Sequence, residues 1–227
     1  MLVHIPAVLS SSDVAKVRDL LERGAWVDGA ETAGEQAAKA KHNLQIREGS
    51  KTAVEAGEII LRALARNPVF NSAALPMRVL PPLFNRYDVG MKFNDHVDGA
   101  IRMVAGAGIR MRADVSSTLF LTPPEDYDGG ELTVSDTYGS HKAKFPAGDM
   151  ILYPATSLHS VTAITRGSRW SSFFWTQSMV RDDGQRTLLY DLDKAIMEVR
   201  AELSDDNRAA VALTSHYHNL LRRWAEL

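Results

Sequence analysis

The chain contains no cysteine. That absence excludes disulfides, thiolate zinc sites, iron–sulfur clusters and a cysteine nucleophile, and it leaves His, Asp and Glu as the side chains able to hold a metal. It also suits a reducing cytosol, so a cytoplasmic location is the expectation. No run of about 18 apolar residues occurs, and Met1-Leu2-Val3-His4-Ile5-Pro6 lacks a basic start followed by a long apolar stretch. A membrane or export role is therefore not expected. Charge of one sign is missing as well. With 26 basic and 28 acidic residues the formal charge is -2, which gives no global field favouring nucleic acid. The 227 residues are enough to bury a full core without staples.

What is present changes character along the chain. Leu2 to Ile5 reads as a short strand. Ser11, Ser12 and Asp13 then offer N-caps to a helix with Val14, Val17, Leu20 and Leu21 on one face, ending near Gly24. Gly29 to Lys41 has little apolar periodicity and reads as a loop, and Asn43 to Ile46 as extended chain. Ser50 caps a second helix, with Pro68 beyond its end. From Met77 to about Val180 short β-branched and aromatic runs alternate with Pro and Gly clusters: Val115 to Leu121, Glu131 to Val134, Met150 to Tyr153, Val161 to Thr165 and Trp170 to Thr176. Strands at this spacing without intervening helices imply a sandwich or jelly roll. The tail reverts to helix over about Arg186 to Leu203 and, capped by Ser204 and Asp205, over Asn207 to Trp224. The expected organisation is an α+β fold, mainly β, in three parts: residues 1–76 packing on the core, a β core over 77–180, and a helical appendage over 181–227.

The chemistry is concentrated in the β core. In His96-Val97-Asp98 the spacing of two puts an imidazole and a carboxylate on the same face of an extended backbone. His159 follows a turn and a strand that return the chain to the core, and two His with one carboxylate form the facial triad that leaves three sites of an octahedral Fe(II) open. Two of those sites suit the keto acid of 2-oxoglutarate and the third O2. Arg169, opening the apolar strand Trp170 to Trp175, offers a guanidinium fork to the far carboxylate of 2-oxoglutarate.

Four separated motifs occur in order: Tyr87-x-x-Gly90-x-x-Phe93-x-x-His96-x-Asp98, Tyr127-Asp128-Gly129-Gly130-Glu131-Leu132, Phe145-x-x-Gly148-Asp149, and His159 to Arg169. Together they closely resemble the prolyl-4-hydroxylase-like Fe(II)/2-oxoglutarate dioxygenases, and within them the bacterial PKHD-type hydroxylases associated with iron uptake. The resemblance covers nearly the whole chain. It implies a double-stranded β-helix, His96, Asp98 and His159 as iron ligands, Arg169 as the 2-oxoglutarate anchor, and ascorbate as the reductant that restores Fe(II). The implied reaction couples decarboxylation of 2-oxoglutarate to succinate and CO2 with hydroxylation of a peptidyl or small-molecule substrate. Collagen-type prolyl hydroxylases place Lys at the anchor, whereas the iron-uptake branch uses Arg, as here.

Other residues have plainer readings beside functional ones. Tyr87 offers a hydroxyl to 2-oxoglutarate or fills the core with a wet edge. Gly129 and Gly130 read as a turn between strands, because no helix with Lys and Ser or Thr follows as a phosphate loop requires. His216 and His218 lie two apart on a helix and cannot share a ligand; with His4, His42 and His141 they read as solvated or packing residues. Trp170, Phe173, Phe174 and Trp175 read as core. Gly99 to Arg112, with Arg102, Arg110 and Arg112, is a solvated loop or a mobile lid that recognises an acidic or phosphorylated substrate. Leu213, Leu220, Leu221 and Trp224 could pack on the barrel or form a homo-oligomer interface. A non-catalytic iron or 2-oxoglutarate sensor, acting on a partner through the helical tail, is the competing reading.

Overall fold

The computed structural model describes residues 1–32, 40–104, 108–137 and 139–227. In chain order the elements are β1 (Val3–Ile5), α1 (Ser11–Glu22), β2 (Trp26–Asp28), β3 (Lys41–His42), β4 (Leu44–Ile46), α2 (Lys51–Ala65), α3 (Pro68–Ala74), β5 (Pro76–Val79), β6 (Leu83–Tyr87), β7 (Lys92–His96), β8 (Ile101–Val104) and β9 (Ile109–Arg112). They continue as β10 (Val115–Phe120), β11 (Leu132–Asp136), β12 (Gly139–Ala143), β13 (Met150–Pro154), β14 (Leu158–Val161), β15 (Arg169–Ser178), α4 (Asp183–Leu203) and α5 (Arg208–Trp224).

The strands form two antiparallel sheets. The major sheet runs β1-β13-β10-β15-β6-β4-β2, with β5 also on β15, and the minor sheet runs β12-β11-β14-β7-β3. β8 and β9 make a separate hairpin. The period of two along each central strand divides its side chains between two layers. Trp170 and Phe174 of β15, Leu119 of β10, Met150 and Leu152 of β13 and Phe84 of β6 pack under Val17 and Leu21 of α1, Ile60 and Leu64 of α2 and Phe70 of α3. On the opposite face Tyr87, Phe120, Ile151 and Tyr153 meet Leu132, Val134 and Val161 of the minor sheet. Covered on both sides, all six residues of β10 are buried. This is the jelly-roll arrangement expected from the strand spacing.

The local signals act where their chemistry dictates, with shifts. The α1 cap is Ser10, one residue before the expected cluster, and its hydroxyl accepts from Asp13 N at 3.1 Å. Ser50 caps α2. Pro68 does not merely stop a helix: capped by Asn67, it occupies the first turn of α3, where a missing N–H costs nothing. The α5 cap is Asn207, not Ser204 or Asp205. Part of the expected loop from Gly29 is a 3-10 turn over Gly29–Thr32, and residues 33–39 of it lie outside the described residues. Before residue 77 the chain adds β1, β2 and β4 to the major sheet and β3 to the minor one.

Leu220, Leu221 and Trp224 of α5 pack on Leu75, Val180 and Leu189. Among the described residues no helix is long and apolar enough to cross a membrane. Phe174, 1 % exposed between the major sheet and the helices, tests the layer that carries the site: Phe174→Ala should destabilise the fold by about 3–5 kcal/mol, read as a lower guanidinium midpoint at unchanged slope.

Candidate active site

Register, more than sequence proximity, assembles the site. In the minor sheet β14 pairs antiparallel with β7, so that His159 lies directly opposite His96. The strand expected over Val161 to Thr165 therefore lies earlier, over Leu158–Val161, with His159 inside it, because its ladder partners β11 and β7 run alongside those residues. The two imidazole rings are 4.2 Å apart. Asp98 sits two residues beyond the end of β7, with Val97 half exposed at the cavity rim between them. Its Oδ1 is 4.0 Å from His96 Nε2 and its Oδ2 3.7 Å from His159 Nε2. One ligand atom from each of the three lies within 4.8 Å of the others, a spacing that could hold a metal ion.

The ligand atoms are oriented by a surrounding layer of contacts. His96 Nδ1 is 2.8 Å from Asn94 O and His159 Nδ1 is 3.0 Å from Ser157 O. Each ring thus donates Nδ1–H to a carbonyl two residues back and turns Nε2 inward, the arrangement that fixes a metal-binding tautomer. Phe93 stacks on His96 at 3.5 Å. Ser116 reaches across from β10 of the major sheet and donates to Asp98 Oδ2 at 2.6 Å. Burial first, and then the neighbouring His159, push the His96 imidazole down to about 4, so it stays neutral, as a ligand must.

The second half of the site is Arg169. It is 1 % exposed, yet no ion pair to it exists among the described residues. Its Nη1 donates to Ser171 Oγ at 2.7 Å, and Ser171 in turn donates to Asn85 Oδ1. Its Nε has no partner. A buried cation without a counter-charge is costly, so the position suits an anionic ligand. Tyr87 is the cross-strand partner of Arg169 on β6. Its ring lies 5.5 Å from the guanidinium, and burial raises its phenol to about 12 against the opposing pull of Arg169, so the hydroxyl remains a donor. Gly130, at φ +67°, lets the turn after Tyr127 pass over this cation, since a Cβ there would stand 2.5 Å from Ile164 and 3.0 Å from the Arg169 side chain. The turn reading of Gly129 and Gly130 holds, with both residues in the left-handed region.

The sequence-predicted residues come together: His96, Asp98, His159, Arg169 and Tyr87 all line one cavity of about 770 Å³. The other histidines stay out of it. His4 meets Asp149 at 2.8 Å, His141 meets Asp136 at 3.1 Å, and His218 packs on Tyr217. Phe173 and Trp175, expected to be core alone, line the cavity, since they share the Arg169 face of β15. Among the lining residues that escaped the sequence reading are Ser116 and Lys41. Ser116 had a signal, the run of small polar side chains Ser116-Ser117-Thr118 inside a fully buried strand. Lys41 had none. It enters on β3, where burial and then the charge of Arg102 lower its ammonium to about 8. Gly99 to Arg112 is not an irregular loop but the β8–β9 hairpin, its residues 105–107 lying outside the described residues; the strands do alternate apolar side chains with arginines, but over only four residues each and among glycines, too short a run to mark a strand.

Residues 82–177 match the 2OG-Fe(II) oxygenase superfamily and residues 183–226 the PKHD-type hydroxylase C-terminal domain. A PKHD-type hydroxylase of Methylobacterium nodulans is 69% identical over 227 residues, covering 100% of both chains. Among solved structures, a Trichoplax adhaerens prolyl hydroxylase in complex with a hypoxia inducible factor peptide fragment superposes with TM-score 0.55 at 16% identity, over 82% of this chain and 86% of that one. Streptomyces hygroscopicus HygX, with nickel, 2-oxoglutarate and hygromycin B bound, does so with TM-score 0.54 at 16% identity, over 78% and 82%.

Two measurements test the geometry. Ser116→Ala, which frees one oxygen of Asp98, should weaken Fe(II) binding by roughly 10–100-fold, read by anaerobic titration. An unfolded imidazole takes up a proton near 6.5 and the folded His96 only near 4, so this group favours the fold above 6.5 and loses that contribution as pH falls through the window. The denaturant midpoint of the metal-free protein should fall more steeply between those values than that of His96→Asn.

Proposed function

From the premise that the chain belongs to the PKHD-type hydroxylases of the 2OG-Fe(II) oxygenase superfamily, and is thus an oxidoreductase, we propose that it hydroxylates a peptidyl or small-molecule substrate, with Fe(II) held by His96, Asp98 and His159 and 2-oxoglutarate by Arg169 and Tyr87. The observation that supports this reading is the placing of a two-imidazole, one-carboxylate cluster and a buried, unpaired guanidinium on the walls of one cavity. A facial cluster of this type leaves three open positions. The fork of Arg169 matches a carboxylate bidentately. When bound, Fe(II) and 2-oxoglutarate supply, with O2, the oxidising power for inserting oxygen into a C–H bond as succinate and CO2 are released.

The protein's own part is positional. The Nδ1–H bonds to Asn94 and Ser157 hold two ligand rings in place, and Ser116 orients the carboxylate. The Ser171–Asn85 pair aims Arg169 into the cavity, and Tyr87 stays protonated beside it as a donor. Phe93, Phe173 and Trp175 give the remaining space an apolar wall. That space disfavours a pure iron or 2-oxoglutarate sensor, which has no use for room beyond its effector. The same fold takes a peptide in the Trichoplax enzyme and hygromycin B in HygX, so the fold alone does not select between substrate classes. Ascorbate as the reductant that restores Fe(II) and a link to iron uptake complete the proposal on family analogy; a cytosolic setting follows the absence of cysteine, and a homo-oligomeric state would use the apolar positions of the helical tail.

The deciding experiment is anaerobic titration of the metal-free protein with Fe(II) and then 2-oxoglutarate. The weak visible charge-transfer band of the chelate should develop in the wild type and be absent in His96→Ala; Fe(II) binding without a band would overturn the proposal. Arg169→Ala should raise the 2-oxoglutarate concentration needed for the band by at least about tenfold, the loss of one charge-assisted bidentate contact.

A further inference from the structure

The three arginines of Gly99–Arg112 have separate fates. Arg112 is tied to Asp114 at 2.6 Å and to Glu226 at 3.2 Å, which anchors the base of the hairpin on the C-terminal segment. Arg110 is exposed and opposite Met103, on the outer face of the hairpin. Arg102 is opposite Met111 on the other face, and Met111 is buried with Leu80, Leu83, Ala113, Ala155 and Trp175. Its guanidinium therefore turns toward the protein and lies 4.1 Å over the Trp175 ring. There it lines the cavity that also contains His96 and Asp98. Among the described residues it makes no ion pair and no hydrogen bond. Stacking holds the plane of a guanidinium while leaving its N–H edges available.

We propose that Arg102 is the receptor for an anionic group of the substrate, a carboxylate or a phosphate carried on an apolar body, which it holds while the bond to be oxidised faces the His96–Asp98–His159 cluster. The assignment rests on the oxygenase reading above. In a loaded cavity the dication, the two carboxylates of 2-oxoglutarate, Asp98 and Arg169 sum to zero, and Asp95, the other acid on the cavity wall, forms no ion pair with Arg102 among the described residues. Lys41 strengthens the same field from β3, its ammonium 5.6 Å from the Phe93 ring and 5.7 Å from that of Phe173. Between the cations and the metal cluster the wall is aromatic, Phe93, Phe173 and Trp175, and the exposed apolar side chains Val97 and Leu158 mark where the cavity opens. An apolar body with an acidic end fits that pattern, and a cationic ligand does not.

The test uses the full-length protein loaded anaerobically with Fe(II) and saturating 2-oxoglutarate, so that Arg169 is already occupied. Benzoate, phenyl phosphate and neutral benzamide are titrated in, and the change in the visible band and in tryptophan fluorescence is followed. At least one of the two anions should bind saturably and benzamide should not, the stronger anion identifying carboxylate or phosphate as the group recognised. Arg102→Met, which keeps an apolar stem against Trp175, should weaken that binding by about tenfold or more, and Arg102→Lys should recover part of it. Equal binding of benzamide, no binding by either anion, or unchanged anion affinity in Arg102→Met would each overturn the assignment. If Arg102→Met does not fold, the wild-type discrimination between benzoate and benzamide decides. Failure of the band to form at all would instead overturn the oxygenase reading on which the assignment rests.

Discussion

The pairing of β14 with β7, which sets His159 opposite His96, is the constraint on which the site depends. A slip of one residue in either strand would turn an imidazole to the other face of the minor sheet. The register is held by burial: Val161 and Leu132 face the major sheet from adjacent strands, and Tyr87, Phe120 and Ile151 close over them. The same apolar layer that stabilises the sandwich therefore fixes the spacing of the two rings. Carbonyls two residues before each ring then select the tautomer, so the ligand geometry follows from backbone already ordered by the fold.

The major sheet contributes what the minor one cannot. Its helix-covered face makes β10, β13 and β15 a rigid floor, and the inward side of that floor carries polar residues, Ser116, Ser171 and Arg169, among aromatic ones. Burying an unpaired guanidinium and several hydroxyls costs stability that an apolar face would not. The helix-side cluster, with Leu21, Ile60, Leu64, Phe70 and Phe174 each at 1 % exposure or less, offsets that cost. Function and stability are thus separated across the thickness of one sheet by the period-two alternation of its strands.

Much of this was legible beforehand. The helices α1, α2 and α4 are long and patterned, the strands β10, β13 and β15 are buried and carry β-branched or aromatic side chains, and the sequence reading places all six within a few residues. His96, Asp98, His159 and Arg169 stand out because their residue types and order match a coordination chemistry as well as a family pattern. The short strands β5, β8, β9 and β12 were not legible. Each has four or five residues and mixed polarity, and is extended because a neighbour supplies hydrogen bonds, not because of its own propensity. Lys41 gave no sign of its place in the site and Ser116 only a polar position in a buried strand, for a related reason: 57 and 18 positions in sequence separate them from Asp98, and only sheet pairing brings them into the same cavity.

By itself the sequence determined the chemical repertoire. Without cysteine and with these His, Asp and Arg residues in this order, an oxygen- and nitrogen-ligated metal beside an anion anchor is what the side chains can build. It also determined the β core, because alternating apolar runs bounded by Gly and Pro have no better way to bury one face. Tertiary structure alone decided which side chains share the cavity, which arginine of the hairpin turns inward, and where Ser116 meets Asp98. Those outcomes depend on cross-strand register and on packing between layers, and both are set by contacts between residues far apart in the chain.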